Sequence, residues 1–155
     1  MLPFSIDKDK NLSFHKTDIM GRWAIRSWVQ AYDDGRTVYP MGEQLTGSIQ
    51  YGQKHMSCLI GKLGRPAFKT GGQWNASQED KAAAYDSFLS YSGTYEVVGD
   101  EVIHHVVLSL FPNWEGGLQR RRVRLMDGHL HLTARLEDGT PEARTASLVW
   151  NRLSD

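Results

Sequence analysis

The residues best equipped for chemistry gather between Tyr91 and Arg121. His104 sits among apolar neighbours. An imidazole there titrates near neutrality and can act as a general acid or base, or it can be a core histidine tied to a backbone group or a tyrosine. Arg121 alternates with Val123 and Leu125, and a guanidinium on such a face is costly to bury alone. It calls for an acid such as Glu96 or Glu115, or for a carboxylate, enolate or phenolate of a ligand. Tyr91 and Tyr95 flank Gly93 on one strand face, where their hydroxyls are either tied off in the wall or donate to a ligand carbonyl. Trp114, in Pro-Asn-Trp-Glu-Gly, stands on a turn as a capping aromatic or a stacking platform. Tyr51 and Met56 are placed on the same cavity wall. Together Tyr51, Met56, Tyr91, Tyr95, His104, Trp114 and Arg121 form the expected ligand set, with His104 and Arg121 catalytic only if the protein is an enzyme.

Other reactive groups carry less. His129-x-His131 puts two imidazoles on one strand face, but no third ligand has diagnostic spacing, so no metal is assigned. Cys58 lacks a basic or helix-start setting and reads as a small buried filler. The cluster Arg120–Arg124 lacks the flanking cations and aromatic sheet of a nucleic-acid surface. No phosphate-cradling glycine loop and no nucleophile elbow is present, and no cofactor is expected.

These side chains need a frame of strands. Tyr91–Val98, Glu101–Phe111 and Leu118–Leu125 read as a meander joined by Gly99-Asp100 and Pro112–Gly117. In the middle strand Val102, His104, Val106, Leu108 and Leu110 share one face and Ile103, His105, Val107, Ser109 and Phe111 the other. Both faces are largely apolar, which predicts cover on both sides and a barrel wall facing a cavity. Upstream, Gly21–Ala31 is a strand with Trp23, Ile25 and Ser27 opposite Ala24, Arg26 and Trp28. Thr46–Tyr51 and His55–Gly61 form a hairpin. His129–Arg135 and Ala143–Leu153 follow the meander. Residues 62–76 read as a loop over an opening. One helix, about 78–90, starts at the N-cap Ser77, and Tyr85, Phe88 and Leu89 lay its apolar stripe against the barrel.

The chain of 155 residues fits one barrel domain over 20–155 behind an arm over 1–19. Eighteen basic residues balance eighteen acidic ones, which argues against nucleic acid or an anionic membrane as partner. The N-terminus lacks a signal-peptide pattern, and no apolar run approaches the ~18 residues of a membrane span. With one cysteine the expectation is a cytoplasmic protein. A homodimer is an open alternative to a monomer.

Several pieces resemble one family. Gly21-Arg22-Trp23 is similar to the Gly-x-Trp motif of lipocalins, and Trp150-Asn151-Arg152 to the closing basic residue that packs over that tryptophan. Tyr39-Pro40-Met41-Gly42-Glu43, Gly47-Ser48-Ile49-Gln50-Tyr51, Tyr91-Ser92-Gly93-Thr94-Tyr95, His104-His105-Val106, Phe111-Pro112-Asn113-Trp114-Glu115-Gly116 and Arg121 resemble, in order, the bacterial and fungal lipocalin-like domain family. The resemblance implies an all-β, antiparallel, calycin-like barrel of eight or more strands, closed at one end by Trp23 and Arg152. It also implies a cavity for a small, largely hydrophobic metabolite. The alternative on the same scaffold is a cyclase or isomerase of secondary metabolism holding a polyketide- or terpene-like intermediate.

Overall fold

A computed structural model describes residues 14–154, so most of the expected arm over 1–19 lies outside the described residues. Apolar alternation broken by glycine-containing turns produces β1 (Gly21–Tyr32), β2 (Thr37–Val38), β3 (Leu45–Tyr51), β4 (His55–Lys62), β5 (Phe88–Val98), β6 (Glu101–Ser109), β7 (Leu118–Met126), β8 (His129–Leu136) and β9 (Arg144–Leu153). From β3 to β9 each strand pairs antiparallel with the next. β1 pairs with both β3 and β9, which closes eight strands into a barrel, and the two-residue β2 lies beside β1 as an extra strand. The expected all-β antiparallel barrel is the observed fold.

Within β3 one glycine is indispensable. Gly47 has φ of +141°, and a Cβ there would stand 2.0 Å from the Leu59 carbonyl oxygen on the paired strand. Two residues further on, Ile49 points inward and is 1 % exposed.

Among the described residues two α-helices accompany the barrel. α1 (Lys16–Ile19) is a single turn that places Ile19 in the core. α2 (Gln78–Asp86) starts where the Ser77 hydroxyl accepts from the Asp80 amide at 3.1 Å. It stops at Asp86, short of the expected 90, because Phe88 and Leu89 are claimed by β5 through pairing with Gly61 and Ile60. The predicted stripe is thereby split: no α2 residue is buried, and Tyr85 is exposed. The preceding irregular segment lies against α2. Arg65 donates to the Ala84 carbonyl and to the Ser87 hydroxyl and stacks on Phe88. The hollow it shares with α2 is about 340 Å³ and distinct from the barrel interior, and none of residues 62–76 lines the barrel cavity described below.

Two bulges rearrange the strand faces. In β1, Ile25 pairs with Trp150 and Ser27 with Val149, so Arg26 is supernumerary. Beyond it the inward positions become Trp28 and Gln30 instead of Ser27. In β6, Val106 pairs with Gly93 and Leu108 with Ser92, leaving Val107 supernumerary. Beyond that point Leu108 turns outward with Ser92, and Ser109, opposite Tyr91, turns inward. Val107 is 69 % and Leu108 65 % exposed, which corrects the expectation that both faces of this strand are covered along its length.

Candidate functional site

The barrel's interior runs from a sealed end to an open one. At the sealed end Trp23 donates its indole N–H to the Ile19 carbonyl at 2.8 Å. The Arg152 guanidinium carbon lies 4.0 Å from the Trp23 ring centroid. From there it donates to the Met20 carbonyl at 3.0 Å and the Asp18 carbonyl at 2.7 Å. Stacking and hydrogen bonding from one planar fork tie β9 to the chain entering β1.

Above this closure stands a column of aromatic side chains. Tyr95 donates its hydroxyl to the Gly52 carbonyl, and its ring meets Tyr51 edge-on with centroids 4.8 Å apart. The Tyr51 hydroxyl lies 2.7 Å from His104 Nε2, and the Tyr91 hydroxyl 2.9 Å from His104 Nδ1. Tyr91 in turn meets Trp114 edge-on at 5.5 Å, and Trp114 meets Phe111 at 5.6 Å. His104 is 0 % exposed. Burial first, and the Arg121 charge second, push its pKa down to about 3, so the imidazole is neutral. Burial likewise raises the pKa of both tyrosines bonded to it, so they keep their protons.

The open half holds a cavity of about 260 Å³. Its wall is mostly apolar, with Trp28, Leu132, Leu148 and Trp150 on the β8–β9–β1 side and Ile49, Cys58 and Leu89 opposite. Three longer polar side chains enter it: Gln30, Gln119 and Arg121. Trp114 and Leu89 stand between this cavity and an outer hollow of about 290 Å³ beside Met41, Tyr85 and Leu110. Burial drives the Cys58 thiol up to about 12.

Of the residues expected to form the ligand set, Tyr91, Trp114 and Arg121 line this cavity. Tyr51, Met56, Tyr95 and His104 are buried below it and do not. Alternation puts His104 on the inner face, but Tyr51 and Tyr91 close over both of its nitrogens. Neither expected acid meets Arg121. Glu96 instead contacts His105 on the outer surface at 3.0 Å, and Glu115 accepts from the Ser109 amide at 3.3 Å. Arg121 donates to the Gln119 side-chain oxygen and to the Arg120 carbonyl, each at 2.9 Å. Among the described residues no salt bridge reaches it.

Sequence reasoning missed Trp28 and Gln30, which the Arg26 bulge turns inward. It also missed Gln119, whose alternation with Arg121 was the available signal. His129 and His131 stay apart from any metal set: Arg26 contacts His129 Nε2 at 3.0 Å, and among the described residues no group of three ligating side chains gathers. No described helix is long and apolar enough to cross a membrane.

A family model described as a lipocalin-like domain matches residues 20–153. No curated protein matches the chain. Among solved structures, a lipocalin-like protein from Bacteroides uniformis aligns with a TM-score of 0.45 at 16 % identity, covering 88 % of this chain and 99 % of that one. An uncharacterized protein from Bacteroides eggerthii aligns at 0.44 and 14 %, over 88 % of this chain and 100 % of that one. A point mutant of the fluorescent protein UnaG aligns at 0.42 and 17 %, over 91 % and 100 %.

Proposed function

The chain belongs to the lipocalin-like domain family, and on that premise we propose that it binds a small, largely hydrophobic molecule inside its barrel. The observation that carries this reading is the cavity itself. It measures about 260 Å³, near the lower edge of ligand-pocket sizes, with an apolar wall and a few convergent polar groups. A filled structural core would have no reason to leave space around Arg121, since closing it would gain packing.

The enzyme alternative requires a proton-moving group against the ligand. His104 has both nitrogens engaged and no face on the cavity, which favours binding over proton transfer.

The test is a fluorescence titration with the neutral apolar dye N-phenylnaphthylamine, run on the native protein and on Ala146→Phe. Ala146 lines the cavity, so a benzyl group there fills it from the wall. Saturable binding by the native protein that the variant loses supports the proposal. Equal binding by both places the dye elsewhere and refutes it.

A further inference from the structure

The cavity's hydrogen-bonding inventory is one-sided. Tyr51 is 2 % exposed, and its hydroxyl has one partner among the described residues, His104 Nε2. A neutral imidazole has a single N–H. If that proton sat on Nε2, the Tyr51 hydroxyl proton would be buried with nothing to receive it, a costly arrangement. The satisfied arrangement has Tyr51 donating to Nε2 and Nδ1–H donating to the Tyr91 oxygen. Tyr91 then spends its acceptor side on His104 and keeps its own O–H for the cavity that it lines.

The remaining polar groups follow the same pattern. Gln119 uses its oxygen to accept from Arg121, and Gln30 uses its oxygen to accept from Arg144 at 2.9 Å, so each keeps an amide NH₂ without a protein partner among the described residues. Arg121 carries only donors. The indole nitrogens of Trp28 and Trp150 are also without a protein partner among the described residues, but they are sealed within the wall and add no donor to the cavity. Donors therefore outnumber unengaged acceptors around an apolar space, next to a guanidinium that no carboxylate reaches among the described residues.

We infer that the cavity is built for a ligand presenting an oxyanion, a carboxylate, enolate or phenolate, to Tyr91 and Arg121, with the buried Tyr51–His104 pair acting as a positioning unit that turns Tyr91 into a donor. This rests on the proposed binding function and specifies the ligand's polar end. A charged acceptor strengthens each donor contact and neutralises Arg121 in one step.

The experiment compares naphthoate with acetylnaphthalene, its neutral methyl-ketone isostere, followed through tryptophan quenching, in the native protein and in Tyr91→Phe, Arg121→Gln and Tyr51→Phe. The native protein is expected to bind naphthoate about tenfold or more tightly than the ketone. Tyr91→Phe and Arg121→Gln should each remove most of that preference, with naphthoate affinity falling several-fold more than ketone affinity. Tyr51→Phe, which touches no ligand, should reduce the preference by releasing the His104 tautomer. Equal affinity for the two probes overturns the oxyanion inference and leaves the binding function standing. A preference that survives both cavity substitutions overturns the assignment to these residues. Failure of both probes to bind overturns the inference together with the function beneath it. Independently of ligand and variants, heteronuclear NMR of His104 should show the Nδ1–H tautomer, and the Nε2–H tautomer would refute the positioning role.

Discussion

Gly93 faces the His105 carbonyl so closely that a Cβ on it would stand 1.8 Å from the oxygen. This contact sits beside the bulge at Val107, where β6 gains its extra residue opposite Gly93. The glycine thus allows the approach of backbones that sends Leu108 outward and leaves Tyr91 free to face the cavity.

Gly93→Ala should therefore destabilise the fold by roughly 2–4 kcal/mol, since the obstacle is backbone and not a movable side chain. Urea denaturation gives the value. A cost near zero would mean that the two strands separate without loss.

Stability should depend on pH through His104. Its folded pKa, about 3, lies below the ordinary value of 6.5, so between these two pH values the unfolded chain binds a proton that the folded one refuses. The histidine's contribution is complete above pH ~6.5 and is lost as pH falls toward ~3, with a slope of up to about 1.4 kcal/mol per pH unit. Denaturation midpoints across this window measure it, and His104→Phe should remove about one proton from the slope. A native His104 whose NMR signals titrate near pH 6.5 would contradict the burial argument.

How much of this was legible in the sequence can be judged residue by residue. The strands and most turns were, because β-branched alternation and glycine-bearing turns such as Met126-Asp127-Gly128 act locally; Asp127 and Gly128 do adopt φ of 53° and 78°. The inner faces were legible up to each bulge. Arg26 and Val107 carry no local sign of being supernumerary, since a bulge is fixed by the partner strand, and so Trp28, Gln30 and Leu108 could not be assigned correctly. The α2 end failed for a related reason: helix spacing at Phe88 and Leu89 lost to pairing with β4. For Arg121, alternation found the face, but whether Glu96 or Glu115 reached it depended on which surface those acids occupied.

Arg152 should matter for stability and not for the cavity. Arg152→Ala removes the stack on Trp23 and two hydrogen bonds to carbonyls, at a cost of about 1–3 kcal/mol. Arg152→Lys should recover only part of it, because an ammonium lacks the planar fork. Thermal melts of both variants check this, with unchanged dye affinity expected.

Cys58 offers a native reporter inside the cavity. Its pKa, raised from 9.0 to about 12, leaves a thiolate fraction about a thousandfold below that of a free thiol. Reaction with an aromatic disulfide should be slow in the folded protein, slower with a cavity ligand present, and immediate after unfolding. Rapid native labelling would mean that the thiol is open to water.

The most direct test of the central claim is to locate a ligand. Crystals soaked in bromonaphthalene should show anomalous bromine density inside the barrel, bounded by Trp28, Tyr91, Arg121 and Trp150. Bromine found only in the outer hollow beside Met41 and Tyr85, or nowhere on the protein, would contradict a barrel that binds hydrophobic molecules in its interior.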